Sequence, residues 1–238
     1  MTMPRHGKRY RSDLEAHQVD NVLTLDDAIA KVKTFGKSKF DQTIEICLHL
    51  GIDAKQADQA VRGAIALPHG IGKTKRVVAF CKPEQVDDCK ANGAVEAGGE
   101  ELVKKIEDGW MEFDVAVASP DMMRVCSKLG RVLGPRGLMP SPKSGTVTPK
   151  VVEAVKEYAA GKVEFRNDSG GNVHGVIGKQ SFEVQQLKDN ATTFIDNIVK
   201  MRPTATKGQY IKKITISGTM TPGVQIAQAS ATAEPATA

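Results

Sequence analysis

A chain of 238 residues can bury one large core or two modest ones, and its 40% hydrophobic and 26% charged residues are ordinary proportions for a globular protein. No run of 18 apolar residues occurs, so no transmembrane helix is expected, and the basic start Met1 to Arg11 leads into no apolar stretch such as a secretory signal needs. The net charge of +5 is a weak pointer to nucleic acid, but its distribution says more: Glu84 to Asp114 holds ten acidic and three basic residues, whereas Lys162 to Lys213 holds nine basic and five acidic. With aromatics at 5%, the core must come from Val, Ile, Leu and Ala. Cys47, Cys81, Cys89 and Cys126 form no C-x-x-C pair, so they are expected to be reduced, mostly buried thiols of a cytoplasmic protein rather than zinc ligands.

Residues 1–19 are polar, with Arg5, Lys8, Arg9 and Arg11 clustered, and read as a basic flexible tail. Leu25 to Phe35 follows with helical spacing (Leu25, Ala28, Ile29, Val32) and acidic residues at its start, where they favour the helix dipole. Thr43 to Leu50 alternates strictly. Ile44, Ile46, Leu48 and Leu50 face one way and Thr43, Glu45, Cys47 and His49 the other, which predicts a half-buried strand. The period then changes. Short apolar strands at Val77–Cys81, Ala94–Ala97 and Phe113–Ala118 alternate with helices at Glu84–Ala91, Glu100–Asp108 and from Pro120, which predicts β-α-β units with a parallel sheet covered on both faces. Alternation returns near the end. Val163 and Phe165 are expected to pair with Val173 and Ile177 as a hairpin across Asn167 to Gly171. A long amphipathic helix, Glu183 to Met201, precedes a last strand, Ile211 to Ile216, and residues 227–238, rich in Ala and Thr, read as disordered.

The first and last zones share one style and the middle another. The fold class is therefore α/β: an α+β domain of residues 20–68 plus 161–226, discontinuous in sequence, with a Rossmann-like three-layer domain of residues 69–160 inserted. The two chain crossings, Pro68-His69-Gly70 and Ala159-Ala160-Gly161, are the expected hinge.

Gly70 to Thr74 suggests a phosphate loop, but the pattern needs a glycine five positions before Gly72, where Leu67 stands. Gly130 to Pro140 holds no G-x-G-x-x-G and is too proline-rich to open a helix on a pyrophosphate; its Arg131 and Arg136 read as a solvated charged face. His6, His17, His49, His69 and His174 accompany no hydrolase, zinc-protease or kinase signature, so no catalytic residue is expected. The better surface is the face of the first domain's sheet that its helices leave free. Its polar positions include Thr43, Glu45, Arg166, Asp168, His174, Lys179 and Lys213, with Phe40 placed to stack on a base. Each alone is more often a solvated strand residue; together with the basic tail they favour RNA.

A series of motifs in order carries a resemblance. They are Lys39-Phe40-Asp41, Leu50-Gly51-Ile52-Asp53, Val61-Arg62-Gly63, Leu67-Pro68-His69-Gly70, Ala118-Ser119-Pro120-Asp121, the eight residues Leu133 to Pro140, Gly145 to Thr148, Arg166-Asn167-Asp168, Lys207-Gly208 and Thr219-Met220. The sequence resembles the L1 family of bacterial large-subunit ribosomal proteins over roughly Phe35 to Val224. The resemblance implies a monomer off the ribosome that binds 23S rRNA at the mobile stalk, contacts deacylated transfer RNA leaving the exit site, and represses its own operon messenger. It implies no cofactor, no metal and no membrane. By position it assigns RNA contact to Lys39, Phe40, Thr43 and Glu45, to Asp168 and His174, and to Ser217, Thr219 and Met220, and it makes the loop to Pro140 mainly architectural. One departure stands out: Thr221 occupies the place of the family's usual glycine before Pro222, and is expected to weaken contact by about 1 kcal/mol. The competing reading is a nucleotide-dependent α/β enzyme using the crevice of the middle sheet, which the missing phosphate loop disfavours.

Overall fold

Alternating and helical periods become nine strands and eight helices among the residues that the computed structural model describes, 7–17, 22–35 and 38–227. In chain order the first are α1 (Lys8–His17), α2 (Leu25–Thr34), β1 (Thr43–Leu50), β2 (Arg62–Ile65) and β3 (Val77–Phe80). Then come α3 (Val86–Ala91), β4 (Ala94–Gly98), α4 (Glu100–Glu107), β5 (Val115–Ala118) and the one-turn helices α5 (Met123–Cys126) and α6 (Gly130–Leu133). The last are α7 (Val151–Ala159), β6 (Val163–Arg166), β7 (Asn172–Lys179), α8 (Val184–Lys200), β8 (Ile211–Gly218) and β9 (Val224–Ile226). Two compact units result: residues 1–61, 67–72 and 165–238, and residues 62–66 and 73–164.

In the first unit, β7, β1, β8 and β9 form an antiparallel sheet in that order. The alternation of β1 sets its faces: Ile44, Ile46, Leu48 and Leu50 are almost fully buried, and Val173, Ile177, Ile214 and Ile216 join them from β7 and β8. Against this apolar face lie α2 and α8. Thr24 caps α2 by accepting the Asp27 N–H. Glu183 and Gln186 form a reciprocal capping box at the start of α8. Leu187, Ala191, Phe194, Ile195 and Ile198 of α8 are fully buried, and each of the four large side chains contributes roughly 1.5–3 kcal/mol of transfer free energy. Gly175 makes the close approach possible, because a Cβ there would lie 2.4 Å from the Phe194 ring.

The second unit is three-layered. Its parallel sheet runs β4-β3-β5, and every residue of β3 and β5 is buried, as strands covered on both faces must be. Alternate residues serve opposite faces. Val77, Ala79, Val115 and Val117 pack with Val151, Val155 and Tyr158 of α7, while Val78, Phe80, Ala116 and Ala118 pack with Leu102, Val103 and Ile106 of α4. The loop before Pro140 adds Leu133 to the second cluster and leaves Arg131 and Arg136 exposed.

One expectation is corrected. Val163 and Phe165 do not form a hairpin ladder with Val173 and Ile177: β6 pairs with β2 in a two-stranded ladder of its own, and β7 pairs with β1. Of the hairpin only the bridge Asn167 to Val173 remains. The Asn167 N–H donates to the Val61 carbonyl at 3.0 Å and its side-chain oxygen accepts the Val61 N–H at 2.9 Å, which directs the chain to the neighbourhood of residue 61 instead. Residues 8–17, expected to belong to a flexible tail, form helix α1, while helix α7 and the short strands β2 and β9 form where composition announced no element. The stretch from Pro120 breaks into single helical turns rather than one helix. Pro68 to Gly70 lies in the first unit, and Ala159 to Gly161 closes α7 in the second.

Candidate nucleic-acid interface

The other face of the first unit's sheet carries rows of polar side chains fixed by strand register. Lys179 lies opposite Thr43; Val176 and Ser217 flank Glu45; His174 and Thr215 flank Cys47; Asn172 and Lys213 flank His49. Neighbours across such rows are about 5 Å apart and successive rows about 7 Å, so the array runs roughly 20 Å along β1. Glu45, His174 and Lys213 are exposed, and Thr43, Cys47, His49, Thr215 and Ser217 half-buried. Burial, with the Asp168 charge second, pushes the Cys47 thiol up, so it stays protonated and unreactive at neutral pH.

At one end of the array the turn after β8 is tied to the start of β1. Thr219 donates its N–H to the Thr43 carbonyl at 3.0 Å, and its hydroxyl accepts the Thr43 N–H at 3.1 Å. Gln42, almost wholly buried, accepts the Met220 N–H on its side-chain oxygen at 2.9 Å. Lys179 donates to the Thr43 hydroxyl at 2.8 Å. Thr43, Glu45, Ser217, Thr219 and Met220 are thus brought together on one rigid framework. Met220 is 50% exposed and Phe40 52%, two large apolar side chains left in solvent beside polar ones, which suits stacking on a base or sugar. Lys39 and Phe40 lie on the approach to β1, where Asp41 accepts hydrogen bonds from the Ser181 N–H and hydroxyl at 3.1 and 2.7 Å.

Asp168 and His174 sit along β7 and the turn before it, with the imidazole 3.8 Å from the carboxylate. Asp168 has a local task as well. It accepts the Gly170 and Asn172 N–H groups at 2.8 Å each and the Asn172 side chain at 3.0 Å. These bonds, that from the Asn172 side chain foremost, hold its carboxyl below the usual range. Asn172 also meets His49 at 2.8 Å. Periodicity identified the face residues of β1, β7 and β8, misplaced Arg166, which lies on β6 outside this sheet, and missed Gln42 and Asn172, which hold the face in shape. Gln42 did leave a signal: it is a polar residue in the apolar phase of β1's alternation.

Among the described residues no group of three or more His, Cys, Asp or Glu side chains is placed to hold a metal ion, and no helix is long and apolar enough to cross a membrane. The sequence profile of the Ribosomal protein L1p/L10e family matches residues 28–222, which takes in β1, the turn at 168, and the turn after β8. The chain belongs to the ribosomal L1 family. Among similar proteins are the large ribosomal subunit protein uL1 of Nitratidesulfovibrio vulgaris and that of Kosmotoga olearia. The first is 49% identical over 94% of this chain and 95% of the relative, the second 47% identical over 94% and 97%. Ribosomal L1 proteins are structural constituents of the ribosome, so the enzyme reading of the parallel sheet is set aside.

Proposed function

We propose that the chain is the large-subunit protein that grips a folded segment of 23S rRNA through the uncovered sheet face and the turn after β8. The single observation that carries this reading is the hydrogen-bonded framework of Gln42, Thr43, Thr219 and Met220. It presents hydroxyl, carboxylate and apolar groups together on a face that the helices do not cover. Hydroxyl and carboxylate groups read 2′-hydroxyls and base edges, and cations such as Lys39 and Lys213 meet phosphates. On this reading Lys39, Phe40, Thr43, Glu45, Asp168, His174, Ser217, Thr219 and Met220 contact RNA.

Contact with transfer RNA leaving the exit site, and repression of the chain's own messenger through a similar RNA structure, belong to the same proposal. So do motion of the inserted domain, taken as residues 69–160, about the crossings near 68–70 and 159–161, and a monomeric state off the ribosome. The test is affinity for a 23S rRNA fragment, measured by fluorescence anisotropy. Phe40→Ala should lose about 1–3 kcal/mol of binding with no change in melting temperature, since the ring is half in solvent. Affinity should fall linearly in log–log form as salt rises. Unchanged affinity for Phe40→Ala and Glu45→Ala alike would overturn the assignment of this face.

A further inference from the structure

Helix α1 is docked on the first unit without being buried in it. Arg9 and Tyr10 are half-buried, Lys8 is exposed, and no residue of the helix whose side chain is described reaches the core. Hydrogen bonds hold it at both ends: the Arg9 guanidinium donates to the Met220 carbonyl at 2.9 Å, and the Ala16 carbonyl accepts from Lys31 at 3.0 Å. A helix so polar gains little by burial. What the tether does achieve is to set the Arg9 guanidinium beside the turn that carries Thr219 and Met220, with Lys8 next to it in the sequence. Between helix and turn lies an open cleft of about 330 Å³, lined by Gly7, Arg9, Tyr10, Thr219, Met220 and Thr221.

We propose that the start of α1 completes the RNA site, with Lys8 and Arg9 binding the phosphodiester of the strand that passes the Thr219–Thr221 turn. This rests on the reading of the sheet face as the RNA site and extends it to a segment the family profile, which begins at residue 28, does not reach. The chemistry fits a phosphate in particular. A guanidinium has five N–H donors in a planar fork, so one bond to the Met220 carbonyl positions Arg9 and leaves donors for phosphate oxygens. Lys8 adds a point charge one residue away. The Tyr10 ring and the half-exposed Met220 give the cleft apolar walls against which a sugar can lie.

The test uses the full chain, the same 23S rRNA fragment and a salt titration. Lys8→Ala/Arg9→Ala should weaken binding 5- to 30-fold near 0.1 M salt. It should also flatten the slope of log affinity against log salt by about 0.7 to 0.9 for each phosphate that is no longer neutralised. Lys8→Ala alone, at an exposed position, should give about half of the change in slope. If the double variant weakens binding with an unchanged salt slope, Arg9 only props the Met220 turn and the proposal falls. If Phe40→Ala loses affinity while both α1 variants bind like wild type, the sheet-face reading stands and the α1 proposal alone is overturned. If neither α1 variant nor Phe40→Ala nor Glu45→Ala loses affinity, both fall.

Discussion

Thr221 is a side chain that serves the fold inside the turn assigned to the proposed RNA site. Its hydroxyl accepts the Gly218 N–H at 2.8 Å inside the turn after β8, and the residue is 9% exposed. Glycine, the family's usual residue here, would forgo that bond and let the backbone approach RNA more closely. Thr221→Gly should therefore act in two directions: a loss of about 1 kcal/mol in denaturant unfolding, and a several-fold gain in RNA affinity. Thr221→Ser, which keeps the hydroxyl, should match wild type in stability. A Gly variant as stable as wild type would show that the hydroxyl bond contributes nothing. Asp168 is a residue-scale case of pH linkage. Its carboxyl is depressed by the Asn172 side chain first, so its stabilising effect is present above the unfolded value near 3.8 and is lost as pH falls through the lower folded value. Urea midpoints should place Asp168→Asn below wild type at pH 7, with the gap closing in acid; a gap that persists at the lowest pH would assign the loss to geometry instead.

Among the elements, β1 and α8 were legible because each presents one unbroken period to one apolar partner. Alternation gave the two faces of β1, and the stripe from Leu187 to Ile198 gave the buried side of α8. Pairing was not legible in the same way: a period says which face of a strand is inward but nothing about its neighbour. Val163 and Phe165 alternate as a hairpin arm would, yet their partner is β2, whose Arg62-Gly63-Ala64-Ile65 is too short and mixed to register as a strand. Polar residues within an apolar period carry further information. Asn190 lies in the stripe of α8 and is fully buried. Its oxygen accepts the His69 N–H at 3.1 Å, and its nitrogen donates to the carbonyls of Gly70 at 2.9 Å and Ile177 at 2.8 Å, fixing residues 67–72 to helix and sheet at once. Asn190→Ala leaves one donor and two acceptors unsatisfied and should cost about 2–4 kcal/mol. Amide exchange at His69 should quicken more than at Ile46; equal changes at both would mean general loosening rather than release of this segment.

Over the whole molecule the fold class and the inserted pattern of periods could be read from residues alone, and the candidate site only partly. Thr43, Glu45 and His174 are proposed from alternation, whereas Ser217 near the end of β8, and Thr219 and Met220 in the turn after it, are proposed through the resemblance alone. Charge misleads at this scale. The first unit holds 17 basic and 14 acidic residues and the second 16 and 14, so the net +5 divides almost evenly and the acidic run of 84–114 is offset elsewhere in its own unit. What a charge does depends on burial. In the second unit Lys75 and Glu164 line a cavity of about 120 Å³ with Asp114 and Thr146, and Lys75 donates to the Lys162 carbonyl at 2.7 Å. Burial drives both toward neutrality: the Lys75 amine is pulled down and the Glu164 carboxyl pushed up, although Lys75, Arg62 and Lys162 all favour the carboxylate. A carboxyl whose folded value exceeds its unfolded one weakens the fold as pH rises through the interval, because the native state must give up a proton it holds more tightly. Glu164→Gln removes that ionisation. It should be more stable than wild type at pH 7, by less than about 1 kcal/mol because the group is only partly buried, and the two proteins should converge below pH 4. Urea unfolding at both pH values decides it: a variant less stable than wild type at pH 7 would mean that attraction to Lys75 and its neighbours outweighs desolvation, and that the cavity is held together by its charges rather than in spite of them.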